Sequence, residues 1–327
     1  MQKKDVESFM CKKENFHNFE VHIFEDKYIF FSNIFIDSED FYSNLFDYFF
    51  DESRLLRYAE NKSNISFSPN IRNYASLYKL LDKFLDQKNK LMHEEEFENE
   101  ILKILKDEYT LEEKGNGKIA IRLDKIGKIG EYIFSNILSD YFKFDCIIPK
   151  LNLITDPNMS VYGIDALFYS SVKDLIMFGE SKVCNSLENG IALIKKSLEE
   201  YEQQIKDEYL LILSNRLWKD KFSTFGDKYI DAIEETLSAE EFIEKASVKK
   251  IGIPIFIAHG SELENKRIFE RIHSIPKRAL LGLSTEYYFI SLPIINKSKL
   301  VATFTGKIKE RSVFYEREKE KLQTTRS

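Results

Sequence analysis

Short aromatic runs dominate the first part of the chain. Residues 20–36 (EVHIFEDKYIFFSNIFI) predict short strands, because aromatic and β-branched residues cluster there between polar ones. Residues 38–50 (SEDFYSNLFDYFF) predict a helix whose start is marked by Ser38. A polar stretch at 60–70 predicts a loop, and residues 72–110 predict two charged helices. We therefore expect a small α/β segment here.

A glycine-rich turn follows this segment. Gly115-Asn116-Gly117 favours a reversal of the chain. It is not a phosphate-binding loop, because a P-loop needs four residues between its glycines and then Lys followed by Ser or Thr. We place a domain boundary at this turn, with residues 1–112 as an N-terminal segment that binds a partner or has a regulatory role, and residues 113–327 as the second domain.

The order of predicted elements becomes informative after the turn. An amphipathic helix is followed by three strands, a second amphipathic helix and a fourth strand. In that order, the predicted ranges are 124–142, 144–154, 162–170, 175–182, 185–205 and 208–214. Further strands are predicted at 249–261 and 287–295, ahead of a charged helix or frayed tail at 307–323. This order predicts an α/β domain.

The charge of the chain is unevenly distributed. The net charge of −6 argues against an ordinary nucleic-acid-binding protein. Residues 1–112, however, carry 15 Lys and Arg against 23 Asp and Glu, which leaves 33 against 31 for residues 113–327. The acidity therefore lies in the N-terminal segment, and the second domain has basic clusters able to contact phosphate.

Composition excludes several classes of protein. Hydrophobic residues make up 43% of the chain and glycine and proline are scarce, so a disordered or collagen-like chain is excluded. The sequence predicts no membrane span and no export signal, and we expect a cytoplasmic protein. The three cysteines are far apart and predict neither a disulfide framework nor a zinc site.

The candidate catalytic residues lie on a predicted β-hairpin. If the polar link at 171–174 lies symmetrically between the strands that flank it, Asp165 is directly opposite Glu180. Lys182 lies on the same face as Glu180, because side chains alternate along a strand. Three ionisable groups are therefore predicted to converge at the strand ends.

Two facing carboxylates repel each other and need a proton or a cation between them. Lys182 offsets part of the repulsion, and a divalent ion offsets it better. Carboxylate oxygens from Asp165 and Glu180, with the backbone carbonyl of Ser181, suit the oxygen-rich shell of Mg²⁺, with Mn²⁺ as the alternative ion. Such an ion polarises a phosphodiester, and Lys182 would stabilise the developing negative charge.

A purely structural interpretation stays open beside this one. The two strands are apolar on both faces, which is typical of a buried sheet. A Glu-x-Lys sequence at a strand end is often only a solvated ion pair, and the spacing between Asp165 and Glu180 is weak evidence by itself.

The residues of this region resemble the PD-(D/E)xK nuclease superfamily, which has a restriction-endonuclease-like core. The resemblance implies a mixed sheet flanked by helices, preceded here by the smaller acidic α/β segment. It implies catalytic roles for Glu131 in GKIGEYIF, Asp165 in YGIDALF, and Glu180 and Lys182 in FGESK. The proline that usually precedes the aspartate is absent, since Ile164 stands there.

More narrowly, GKIGEYIFSNIL, GIDALF and FGESKV look like HamA, the nuclease subunit of the bacterial Hachiman antiphage system. This resemblance covers roughly residues 113–300. It implies a DNA nuclease of little sequence specificity that works with a helicase partner, HamB. The alternative is a catalytically silent nuclease fold that serves as a structural or regulatory subunit of the helicase.

Two further assignments accompany the resemblance. From the residue pattern alone, Glu131 is explained by the helix dipole, which favours an acidic residue in a first turn; the resemblance implies that it binds a second metal ion or a metal-bound water. A basic stretch beside the site is a candidate for phosphate contacts, although an exposed basic face explains it as well. Its residues are Lys114, Lys118, Arg122, Lys125 and Lys128.

Overall fold

The structure is a computed structural model, which describes residues 11–32, 40–63, 66–85, 126–149, 166–170, 172–184, 186–214, 227–260, 264–294 and 297–324. The strands are β1 Cys11–Phe16, β2 Phe19–Phe24, β3 Tyr28–Ser32, β4 Asp145–Pro149, β5 Ala166–Ser170, β6 Leu175–Val183, β7 Lys250–His259 and β8 Ser284–Pro293. The described helices are α1 Asp40–Phe49, α2 Glu52–Ser63, α3 Ile71–Leu85, α4 Ile126–Asp140, α5 Leu187–Ser214, α6 Asp227–Glu235, α7 Ala239–Lys245, α8 Asn265–His273 and α9 Lys297–Thr324.

The eight strands of the described residues form one mixed sheet in the order β1-β2-β3-β8-β7-β6-β5-β4. The central strands β3, β8, β7 and β6 are parallel, and antiparallel hairpins extend the sheet at both edges. Helices cover both faces. The predicted α/β class, with a mixed sheet flanked by helices, is therefore confirmed.

Side-chain alternation along β7 shows how the two faces are filled. Phe256 points to the face of α4, where its ring stacks on Phe134 with centroids 5.6 Å apart. Ile257 points to the other face, where it packs with residues of α5 and α8. A parallel strand buried on both faces needs this nearly continuous apolar sequence.

One predicted strand is wrong. Residues 208–214 continue α5 as far as Ser214. The apolar stripe of this helix, which includes Tyr201 and Ile205, extends at helical spacing to buried Tyr209. No turn residue interrupts the chain before this point, so the apolar run belongs to the helix. The strand that joins β6 in the sheet after α5 is β7 instead.

One helix was not predicted. Helix α2 occupies residues 52–63 and extends into the stretch that was expected to be a polar loop. Its start is capped by Asp51, whose Oδ1 accepts hydrogen bonds from the backbone N–H groups of Ser53 at 2.9 Å and Arg54 at 3.0 Å. The cap was not recognised in the sequence because it directly follows an aromatic run.

The N-terminal segment is part of the main sheet. Strand β3 pairs in parallel with β8, with Ile29 opposite Ile290. The boundary predicted between residues 112 and 113 lies outside the described residues, as does the acidic run at 93–109. The described elements on either side of it share one sheet and one core, rather than forming two separate sheets.

A partly buried ionic cluster also connects the two parts. Arg54 Nε of α2 donates to Asp140 Oδ2 at 2.8 Å, and Arg57 of α2 reaches Asp140 Oδ1 at 2.8 Å. Arg57 also donates to the side chain of Asn136 at 3.1 Å. Asp140 is the last residue of α4, where the helix dipole disfavours a carboxylate, so the two arginines supply the compensating charge.

We predict that Asp140→Asn lowers the free energy of unfolding by about 2 kcal/mol, between the values typical of exposed and of fully buried pairs. The reason is that both guanidinium groups lose their shared carboxylate. Urea unfolding followed by circular dichroism measures the change. Asp231→Asn, at an exposed position on α6, is the matched control and should stay close to wild type. Equal unfolding midpoints for the two variants would contradict the prediction.

Candidate active site

The β5–β6 hairpin has the symmetric register that the sequence predicted. Ala166 lies opposite Gly179, and Phe168 lies opposite Met177. The residue that precedes Ala166, Asp165, lies outside the described residues, so its position opposite Glu180 remains a prediction. The predicted phosphate-contacting residues Lys114, Lys118, Arg122 and Lys125 also lie outside them.

The structure brings Glu180 and Lys182 together. They lie two residues apart on β6, and Lys182 Nζ forms an ion pair with Glu180 Oε1. The Glu180 side chain is 2% exposed and that of Lys182 is 26% exposed. Because a buried carboxylate is costly without a compensating cation, this pair is an integral part of the sheet rather than a solvated strand end.

The pair lies at the carboxyl end of β6. Strands β6, β7 and β8 are parallel, so their carboxyl ends lie at one edge of the sheet. Helices α5, α8 and α9 each follow one of these strands and therefore begin at the same edge. Ligands of open α/β sheets bind at such an edge, where helix amino termini add positive potential.

Helix α4 brings Glu131 close to this edge. A Cβ atom at Gly130 would overlap the side chain of Val183, so α4 approaches the end of β6 very closely there. Glu131 is the next residue and is partly exposed. Helix α4 packs on the face that includes Met177, whereas alternation puts Glu180 on the opposite face. The helix that bears Glu131 therefore lies on the face of the sheet opposite to the Glu180 side chain.

The described residues supply some of the oxygen ligands that a hard divalent cation needs. Glu180 contributes carboxylate oxygens, which are the ligands that Mg²⁺ prefers. Among the described residues, no group of three His, Cys, Asp or Glu side chains is arranged to hold a metal ion. The second carboxylate of the predicted set, Asp165, lies outside the described residues.

A buried polar pair on the neighbouring strands β7 and β8 was not predicted from the sequence. His259 ends β7, is fully buried, and its Nε2 lies 2.8 Å from Ser291 Oγ on β8. Burial lowers the pKa of His259 to about 4. No sequence pattern connects residues 32 positions apart, so this pairing required the structure.

We predict that His259 makes the fold sensitive to acid. The unfolded chain binds a proton at its ordinary pKa near 6.5, whereas the folded chain binds it only near pH 4. Stability is therefore lost as the pH falls from about 6.5 to about 4, by about 3 kcal/mol in all. Urea unfolding of wild type and His259→Gln between pH 7 and pH 4 measures this slope. An equal slope in both proteins would contradict the assignment.

The fold and site define an α/β protein with a nuclease-like core and a buried glutamate–lysine pair at a strand end. The HamA family model matches residues 11–308, most of the chain. The chain therefore belongs to the HamA family, and this membership supports a role as a component of Hachiman antiphage defence. The comparison with curated proteins finds no match. Across the described helices, none has the length and apolar character required to cross a membrane.

Proposed function

We propose that this chain is a metal-dependent DNA endonuclease of antiphage defence, which hydrolyses phosphodiester bonds with little sequence specificity under the control of the helicase HamB. The buried ion pair between Glu180 and Lys182 is the observation that carries the proposal. A lysine beside an ionised carboxylate at a ligand-binding sheet edge provides both an anionic ligand and a cationic group for a phosphate.

Each residue of the proposed site has a distinct role. Glu180, Asp165 and the backbone carbonyl of Ser181 would hold Mg²⁺ or Mn²⁺, with Glu131 as a further ligand. When bound, this ion supplies Lewis-acid stabilisation of charge and lowers the pKa of a coordinated water. Lys182 donates hydrogen bonds to phosphate oxygens and stabilises the negative charge that develops on them.

The substrate approaches along the carboxyl edge of the sheet. Lys128 lies near the start of α4, which approaches the end of β6 at Gly130 and Val183. With Lys118, Arg122 and Lys125 just upstream, this stretch would neutralise phosphates of the DNA backbone. Contacts of this kind position a duplex without reading its bases, which supports low sequence specificity.

We predict that Lys182→Ala lowers the rate of Mg²⁺-dependent DNA cleavage by at least roughly 100-fold, because it removes the cation that stabilises charge on the phosphate. Cleavage of linear and circular duplexes, with Mg²⁺ and with chelator, measures the effect. Lys250→Ala is the matched control, since Lys250 is an exposed lysine at the opposite end of the sheet.

The assay is run on the isolated chain and on its complex with HamB. Equal cleavage by wild type and Lys182→Ala would reject the proposed site. A wild type that cleaves nothing in either form, with an intact complex, would favour the catalytically silent subunit instead.

We further predict that the acidic run Glu94–Glu96 contributes to docking of HamB. Deletion of residues 1–112 cannot test this, because it also removes β1, β2 and β3 from the sheet. Replacement of all three glutamates by glutamine in the full chain should lower the affinity for HamB roughly tenfold. Titration of each variant with labelled HamB measures this affinity. The same change at exposed Glu199 and Glu200 of α5 is the control, and an unchanged affinity in the first variant would refute the docking role.

A further inference from the structure

A thiol, an imidazole and a carboxylate lie in series on the β1–β2 hairpin. Cys11 Sγ is 3.6 Å from His22 Nδ1, and His22 Nε2 is 2.5 Å from Glu20 Oε1. Cross-strand pairing of Cys11 with Phe24 and of Lys13 with His22 puts these side chains on one face of the hairpin. The cluster is distant from β6, because it occupies the opposite part of the sheet.

The partners of His22 assign its tautomer. An ionised carboxylate only accepts hydrogen bonds, so the neutral imidazole carries its proton on Nε2, towards Glu20. The unprotonated Nδ1 then faces the thiol. Lys13 Nζ lies 3.1 Å from Glu20 Oε1, and this hydrogen bond lowers the pKa of Glu20 and keeps the carboxylate ionised. A base oriented by a third group is the arrangement that activates a nucleophile.

The surroundings of the thiol complete the arrangement. Burial raises the pKa of Cys11, while the backbone N–H of Ile23 and the charge of Lys13 act in the opposite direction and favour the thiolate. The thiol therefore keeps its proton at rest and gives it to His22 as it reacts. Cys11 is partly exposed, whereas Cys184 is buried. A reagent in solution thus has access to Cys11.

We propose that Cys11 is a covalent modification site, whose thiol is activated by His22 and Glu20 to form mixed disulfides with small-molecule disulfides. In this step Cys11 Sγ attacks one sulfur of the disulfide while its proton moves to His22 Nδ1. The new Sγ–S bond forms as the S–S bond of the reagent breaks, and the other half leaves as a thiolate. The proposal does not rest on the nuclease function.

The test exposes the full chain to glutathione disulfide and follows the modification of each cysteine by mass spectrometry. We expect Cys11 to react at least roughly tenfold faster than buried Cys184. Glu20→Gln should slow the reaction at Cys11 roughly tenfold, and His22→Asn should slow it on the order of 100-fold. Glu25→Gln, at an exposed carboxylate in the β2–β3 turn, is the matched control and should react at the wild-type rate.

The pH dependence of the reaction rate at Cys11 distinguishes activation of the thiol by His22 from mere exposure of the thiol to solvent. In wild type the thiol gives its proton to His22, whereas in His22→Asn only the ionisation of the thiol governs the rate, so the rate of that variant should depend more steeply on pH. Lys13 and Glu20, the other charged groups that act on Cys11, are unchanged in that variant. The proposal is overturned if Cys11 reacts no faster than Cys184, or if Glu20→Gln and His22→Asn, with native circular dichroism spectra, react at the wild-type rate.

Discussion

The ion pair between Glu180 and Lys182 constrains the structure around it. A carboxylate that is 2% exposed keeps its charge only when a cation is held against it, and this requires a strand that cannot shift. Hydrogen-bonded neighbours on both sides fix β6. The hydroxyl of Tyr201 on α5 donates to the carbonyl of Phe178 at 2.8 Å, which secures the strand two residues before Glu180. Gly130 lets α4 close on the other face.

The sheet that fixes this pair includes the N-terminal segment. Strand β3 covers the side of β8 that faces away from β7, and Arg54 of α2 holds Asp140 at the end of α4. At the other end of the chain, Tyr315 of α9 donates to Glu52 of α2 at 2.6 Å and stacks on Tyr78 of α3. Both termini of the described chain therefore stabilise the scaffold, so a regulatory role for the N-terminal segment has to coexist with a structural one.

The sequence predicted local features well and long-range ones poorly. The hairpin register followed from the symmetric placement of a short polar link, and helix α4 followed from the amphipathic pattern of residues 124–142. Residues 208–214 were wrongly predicted as a strand because a short apolar stretch fits a strand as well as a buried helix. The contacts of Arg54 with Asp140 and of His259 with Ser291 join distant parts of the chain, and no local pattern encodes such partners in a single sequence.

The two side-chain clusters for which we propose reactivity, Glu180 with Lys182 and Cys11 with His22 and Glu20, are separated by the sheet itself. Five strand-to-strand steps lead from β6 to β1. At about 4.8 Å for each step, Glu180 and Cys11 lie on the order of 24 Å apart. A small group attached to Cys11 cannot reach the Glu180–Lys182 pair. Any effect of that modification on cleavage would have to pass through the sheet, by way of the strand pairing of β2, β3, β8 and β7, because those four strands lie between the two clusters.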